Sequence, residues 1–191
     1  MSTRSPTPVP ERVVEVDPQR YPRWRERFEE SNAQRAQDER QEVVAVEVFE
    51  HDPLALLLVR RGGYGVGVAV GPELVAHKVG TRYVQSRTKK GGWSQQRYAR
   101  RRGNQADELV GACGDHAARV LAALPDGAKE VRGLVLGGDR ALLAQLLEDP
   151  RLRPLRELPR RELPDLPDPR LTVLQDALRR ARHVRITIRD P

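Results

Sequence analysis

Apolar and polar positions divide the first half of the folded chain into short strands. Val43–Phe49 is rich in β-branched residues, Leu54–Val59 is almost continuously apolar, and Tyr64–Val70 and Glu73–Thr81 follow after glycine-containing turns. A continuous apolar run predicts a strand buried on both faces. Tight turns between neighbouring strands predict an antiparallel meander. The glycines within Tyr64–Val70 predict a bulge or strong curvature.

Helical periodicity follows the meander. Apolar residues recur at helical spacing from Ala106 onward, which predicts a long helix of about Gln95–Leu124. Glycine costs roughly 1 kcal/mol in a helix, so Gly103, Gly111 and Gly114 indicate that this helix packs closely on the sheet. Cys113 lies on the apolar face and is expected to be an inert core thiol.

The remaining segments add strands and helices to the same sheet. Val131–Leu136 is predicted to be a strand, and Gly137-Gly138-Asp139 a turn and helix cap. Arg151–Pro167 is predicted to cross the surface in extended form with one short strand. A last helix carrying Leu171–Ala181 and a strand at Val184–Ile188 complete a mixed sheet with packed helices, an α/β or α+β fold.

The N-terminal segment has a different character. Residues 1–10 form a Ser/Thr/Pro tail, Arg12–Val16 is a possible strand, and a helix of about Arg23–Glu39 carries a small apolar face at Trp24 and Phe28. We therefore expect residues 11–41 to be an extension outside the main core and residues 42–191 to be the main domain.

Composition narrows the classes of function. The chain has 191 residues, a net charge of +7 and a pI of about 10.1, which favours a polyanionic partner. The single cysteine excludes an internal disulfide and a zinc site of several thiolates. No stretch approaches the roughly 20 apolar residues of a membrane span, and the N-terminus lacks the apolar region of a signal peptide. We expect a cytoplasmic monomer without cofactor or metal.

One basic stretch, Thr88–Arg102, stands out as the candidate site. No acidic residue lies between Glu73 and Asp107. Gly91 and Gly92 free the backbone for close approach to another surface, and Ser94 is a plausible N-cap of the long helix. A basic helix start suits phosphate binding. The predicted RNA contacts are Lys89, Lys90, Trp93, Arg97, Arg100, Arg101 and Arg102.

The order of meander, glycine-rich basic loop, long helix and Val131–Gly138 resembles the catalytic middle domain of eukaryotic and archaeal class-1 peptide chain release factors. That family carries a Gly-Gly-Gln tip followed by Ser, Arg, an aromatic, Ala and Arg. Here the run from Gly91 reads Gly-Gly-Trp-Ser-Gln-Gln-Arg-Tyr-Ala-Arg. A related group, the peptidyl-tRNA hydrolases of ribosome quality control, carries a Gly-Ser-Gln-type tip, and the chain resembles the compact actinobacterial branch of that group.

The resemblance implies a ribonuclease H-like release-factor catalytic domain and a glutamine that positions water on peptidyl-tRNA. Trp93 stands where release factors have their glutamine, and Ser94-Gln95 matches the Gly-Ser-Gln tip after a one-residue insertion. Gln95 is favoured as the catalytic residue and Gln96 stays open, with Ser94, Gly91 and Gly92 in supporting positions.

The implied partners are rRNA of the large ribosomal subunit and peptidyl-tRNA. With no room for a codon-reading domain in 191 residues, the implied activity is release from stalled or split large subunits. The alternative is a non-catalytic RNA-binding module of the same fold, which the bulky Trp93 favours.

Overall fold

The computed structural model describes the backbone of residues 10–81 and 94–191 and the side chains of residues 10–81 and 104–191. Two compact units are formed, one by residues up to Glu50 together with Arg182–Pro191 and one by His51–Ala181. The strands are β1 (Glu11–Val16), β2 (Glu42–Glu47), β3 (Leu54–Arg60), β4 (Gly63–Val70), β5 (Glu73–Thr81), β6 (Gly133–Gly138), β7 (Arg160–Leu163) and β8 (Val184–Arg189). The α-helices are α1 (Tyr21–Ala33), α2 (Ser94–Leu121), α3 (Arg140–Leu147) and α4 (Leu171–Ala181).

The first unit is a three-stranded antiparallel sheet in the order β1-β8-β2. Side chains alternate along β8, so that Val184, Ile186 and Ile188 are buried on one face. The aromatic residues of α1 pack against this cluster, and Trp24 stacks on Phe28 at 5.2 Å. The predicted packing of α1 outside the main core is confirmed.

The structure refines two expectations for this segment. The meander was expected to have three or four strands and has three, because β2 pairs instead with β8 through Val46 and Ile186. The β-branched composition of β2 predicts a strand but contains no information about a partner 140 residues away. The helix predicted to reach Glu39 ends at Ala33, because both polar groups of the Asn32 amide bind the backbone of Gln41 at 2.8 Å and turn the chain back. The division into an 11–41 extension and a 42–191 domain stays a prediction.

The second unit contains a mixed five-stranded sheet in the order β5-β4-β3-β6-β7. β3, β4 and β5 form the antiparallel meander, and β6 and β7 continue the sheet in parallel with β3. β3 is central, and its residues Leu54–Val59 are all buried. The bulge expected at the glycines of β4 lies elsewhere: the register shifts between Val68 and Ala69, where Val75 of β5 is left without a partner in the pairing. The predicted mixed sheet with packed helices is confirmed, but the last strand, β8, expected to complete it, belongs to the three-stranded sheet of the first unit.

Helices cover both faces of this sheet. Tyr64, Val66 and Val68 of β4 point into a core shared with α2 and α3. The intervening positions Gly65 and Gly67 face the other way, where Leu174 of α4 packs directly over them. The alternation of large residues and glycines along β4 therefore lets two helical layers approach the sheet.

Two further expectations were wrong. The segment after α3 is not an extended surface crossing, because Pro150–Leu155 forms a 3₁₀ helix whose Leu152 and Leu155 are fully buried. Gly111 does not mark close packing, since nothing lies within 4 Å of a Cβ built on it. Gly114 does lie in close packing, but against Asp149 after α3, not against the sheet.

Candidate functional site

The predicted site lies at the junction between β5 and α2. β5 ends at Thr81 and α2 begins at Ser94. The predicted residues Lys89, Lys90, Gly91, Gly92 and Trp93 lie outside the described residues. The helix start at Ser94 agrees with the sequence within one residue, although the predicted cap bond involves a side chain that is not described. Gln95, Gln96, Arg97, Arg100, Arg101 and Arg102 belong to the first turns of α2, and their side chains also lie outside the described part.

α2 is long for the core that it helps to form. It has 28 residues, so it spans about 42 Å at a rise of 1.5 Å per residue. The first buried side chain, among those described from residue 104 onward, is Leu109. Ser94 is therefore about 22 Å from Leu109 along the helix axis. The contacts that hold the second half of α2 in place therefore also determine the position of its N-terminal turns.

An apolar stripe fixes that second half. Leu109, Cys113 and Ala117 are at most 1% exposed and lie in the core formed with β3, β4 and α3. Their spacing of four residues places them on one side of the helix. Burial raises the pKa of the Cys113 thiol to about 12, which agrees with the predicted inert core thiol.

Polar contacts add to this attachment. The Arg151 guanidinium donates to Asp115 of α2 at 2.8 Å and to Asp149 at 2.6 Å. The Arg151 hydrogen bond lowers the pKa of Asp149, while Asp149 and Asp115 together raise the pKa of Arg151. Gln145 of α3 also donates to Asp107 of α2 at 2.7 Å. These contacts join α2 to α3 and to the segment after it.

The end of β5 is fixed by unusually close packing on β4. Tyr64 pairs with Gly80 across the two strands. A Cβ on Gly80 would lie 2.5 Å from Cζ of Tyr64, and a Cβ on Gly63 would lie 2.4 Å from the carbonyl oxygen of Gly80. Glycine is therefore required at both positions. The residue after Gly80 is Thr81, the last described residue before the candidate loop.

A cationic cluster that the sequence analysis missed lies beside this end of β5. The imidazole of His116 stacks on Tyr64 with ring centroids 5.5 Å apart. Nη2 of Arg119 lies 2.9 Å from Nδ1 of His116. Lys78 lies on the same sheet face as Gly80, two pairs along from the Tyr64–Gly80 pair. The pKa of His116 is lowered first by desolvation and then by the positive charges of Arg119 and Lys78. The spacing of His116 and Arg119 on one helix was the available signal.

The glycine turn after β6 is a helix cap, as predicted. The Asp139 carboxylate accepts hydrogen bonds from the backbone N–H groups of Ala141 at 3.0 Å and Leu142 at 3.3 Å. Gly138 has a φ of 104°, a backbone conformation that favours glycine. A cavity of about 170 Å³ lies nearby between α3 and β7.

The described residues show neither a metal site nor a membrane-spanning helix. Within residues 10–81 and 104–191, no three His, Cys, Asp or Glu side chains come together in an arrangement suited to a metal ion. Among the helices described, none is both long and apolar enough to cross a membrane.

Residues 52–187 match the model of a protein family described as the Actinobacteria/chloroflexi VLRF1 release factor. The chain belongs to this family. The matched range covers most of the chain and includes the whole of Thr88–Arg102. Membership in the VLRF1 release factor family confirms the release-factor resemblance.

Among solved structures, the chain is similar to the crystal structure of an archaeal translation termination factor, aRF1. The two are 19% identical and superpose with a TM-score of 0.43. The similarity covers 67% of this chain and 34% of the archaeal chain, so this chain spans about a third of that factor. No curated protein matches the chain by sequence.

Proposed function

We propose that the protein is a ribosome-dependent peptidyl-tRNA hydrolase that releases nascent peptides from stalled or split large ribosomal subunits in the cytoplasm. The observation that carries this proposal is the family match, because it spans the glutamine-bearing stretch from Gly91 to Arg102. The length of α2 supports it, since the glutamines lie on the same helix about 20 Å from the first buried residue described.

The reaction requires little from the protein if the ribosome holds the substrate. A water oxygen attacks the ester carbonyl, the bond to the ribose oxygen breaks, and the ribose oxygen takes a proton. A group that orients the water can lower the barrier by several kcal/mol. A backbone N–H near the carbonyl can stabilise the developing oxyanion.

Glutamine is suited to orienting this water. Its amide offers both a donor and an acceptor and does not titrate. Gln95 follows Ser94 as in a Gly-Ser-Gln tip and is our first candidate, with Gln96 the second. Gly91 and Gly92 allow the backbone to enter a narrow site.

The basic residues around the glutamines provide affinity for RNA. Lysine and arginine side chains neutralise phosphates and release counterions, which makes binding salt-dependent. The side chains proposed to contact rRNA or tRNA are Lys89, Lys90, Arg97, Arg100, Arg101 and Arg102. Trp93 is proposed to stack on an RNA base.

A second candidate function is a non-catalytic RNA-binding module, and Trp93 is the residue that favours it. A bulky indole at the tip would hinder entry to a narrow catalytic centre. The two functions separate in one experiment with the wild-type chain. We would measure binding to large subunits carrying labelled peptidyl-tRNA and, in parallel, release of the labelled peptide. Release supports the hydrolase. Binding without release, on subunits from which a known release factor liberates the peptide, supports the module.

A further inference from the structure

We propose that Lys78, His116 and Arg119 form a binding site for a phosphodiester group of RNA, separate from the predicted contacts in Thr88–Arg102. The identity of the partner rests on the proposed function. The site itself is inferred from the arrangement of these three side chains around Tyr64.

The three residues share one side of the second unit. On β5, Lys78 lies on the same face as Gly80, because residues two apart in a strand point the same way. Tyr64 packs against Gly80 and carries the stacked imidazole of His116. Arg119 follows one turn later on α2 and contacts His116. The Tyr64–His116 stack therefore has the Arg119 guanidinium in contact with its imidazole and Lys78 on the same sheet face.

No carboxylate neutralises this cluster within the described residues. Ion pairs of Lys78 or Arg119 are absent there. The nearest acidic residue in sequence, Asp115, is bound by Arg151 at 2.8 Å. The Arg119 side chain uses Nε on the carbonyl oxygen of Asp115 at 3.1 Å and Nη2 on His116. Lys78 and Arg119 are both exposed, so an incoming anion can reach their charged groups.

The contact between Arg119 and His116 defines the state of the free site. Arginine can only donate hydrogen bonds, so Nδ1 of His116 must accept and the imidazole is neutral. Phosphate oxygens are better acceptors for a guanidinium, because the hydrogen bond is then charge-assisted on both sides. A bound phosphodiester therefore attracts Arg119 away from Nδ1 and favours protonation of that nitrogen by a proton from solvent.

The electrostatics of His116 agree with this exchange. In the free protein its pKa is lowered by desolvation, by Arg119 and by Lys78, while Asp115 opposes the shift. The groups facing it are Tyr64 of β4, Lys78 of β5, and Asp115 and Arg119 of α2. An anion between the cations removes the repulsion that lowers this pKa. RNA binding should thus take up a proton and strengthen as pH falls through the histidine range.

The site lies close to the end of β5, the strand that leads into the candidate stretch. Gly80, against which Tyr64 packs, is one residue before Thr81, where the candidate loop begins. His116 lies 22 residues after Ser94 on α2, about 33 Å along the helix axis. A phosphate held here would add an RNA contact beside the base of the loop, far along α2 from the glutamines.

The test is RNA binding by the full chain, without a release step. We would titrate a labelled single-stranded oligouridine against wild type, Lys78→Gln and Arg119→Gln over a range of salt. Lys129→Gln is the matched control, because it removes one exposed charge near the opposite end of the strands, after α2. Each site variant should reduce the slope of log affinity against log salt by about 0.7, while the control leaves it unchanged. Thermal melting confirms that each variant folds.

NMR of the histidine side chains supplies the second readout. The His116 signal, assigned by its loss in His116→Gln, should titrate at higher pH when oligouridine is bound. Inorganic phosphate at the same concentration should not produce this shift. Site variants that behave like Lys129→Gln, or a His116 titration that RNA does not move, would overturn the site. A shift with phosphate but not with RNA would overturn RNA as the ligand. Failure of peptide release alone would leave this site standing and would count only against the proposed hydrolase.

Discussion

The ring of Tyr64 lies directly over the backbone of Gly80, with no space for a Cβ between the two strands. Tyr64 is 5% exposed and stacks on His116 on its other side, so the ring cannot move aside without disturbing α2. This one relationship connects the end of β5 to the helix that carries the predicted catalytic glutamines.

We therefore predict that Gly80→Ala lowers the free energy of unfolding by about 1–3 kcal/mol, the usual cost of an overpacked core. Chemical denaturation monitored by circular dichroism measures it. Gly111→Ala is the control, because its Cβ meets nothing within 4 Å and should stabilise α2 by about 0.5–1 kcal/mol. Equal effects of the two substitutions would contradict the packing described for Tyr64.

A second prediction concerns the turn between β6 and α3. Gly138 has a φ of 104°, and a Cβ there would lie 2.1 Å from the carbonyl oxygen of Val59. That oxygen accepts a hydrogen bond from the N–H of Asp139 at 2.7 Å, so it is not free to move. Gly138→Ala should destabilise the protein by more than about 2 kcal/mol.

The matched control for this prediction is Gly71→Ala. Gly71 also has a positive φ, 57°, but nothing lies within 4 Å of its Cβ position. Only the left-handed backbone conformation should cost free energy there, about 1–2 kcal/mol. Urea unfolding of both variants separates the two contributions. A Gly138→Ala variant no less stable than Gly71→Ala would show that the steric contact with Val59 is absent.

A third prediction follows from the burial of Cys113. Its thiol is fully buried and its pKa is raised to about 12, so at about pH 8 almost no thiolate is present to react. A thiol-reactive disulfide reagent should label the native protein only as fast as the core opens, and the unfolded protein at once. Rapid stoichiometric labelling of the native chain would place Cys113 outside the core.

Features of this fold that depend on residues close together in the sequence can be predicted from it, and features that depend on distant residues cannot. The apolar stripe at Leu109, Cys113 and Ala117 and the cap at Asp139 are local patterns, and both were predicted correctly. The pairing of β2 with β8 was not, because alternation along Val184–Ile188 shows a buried face but not which strands lie beside it. The partners of β8 come from residues 11–16 and 42–47, and no local pattern links these segments to it.

The same distinction between contiguous and distant residues applies to the candidate site. The glutamines and arginines of Thr88–Arg102 are predicted from the sequence because they are contiguous; the family match covers the same stretch, and their role stays a prediction. The cluster at His116 was missed because its members come from β4, β5 and α2 and meet only in the folded chain. The i,i+3 spacing of His116 and Arg119 was a signal in the sequence, but the lysine and the tyrosine are brought to it only by the strand register.

The fourth prediction concerns the central proposal, that Gln95 positions the hydrolytic water. Removing an oriented amide should slow the chemical step by about a hundredfold or more. It should leave affinity for the large subunit unchanged, since the proposed RNA contacts are the neighbouring cations and Trp93. Gln96→Ala is the matched control, one residue away on the same helix turn.

The most direct measurement is single-turnover release of labelled peptide from purified large subunits carrying peptidyl-tRNA, with subunit binding measured on the same samples. Our account predicts rapid release by wild type and by Gln96→Ala, and loss of release with binding retained in Gln95→Ala. Loss in Gln96→Ala instead would transfer the role to Gln96. Undiminished release by both variants, or no release by bound wild type from subunits on which a known release factor is active, would contradict the glutamine mechanism.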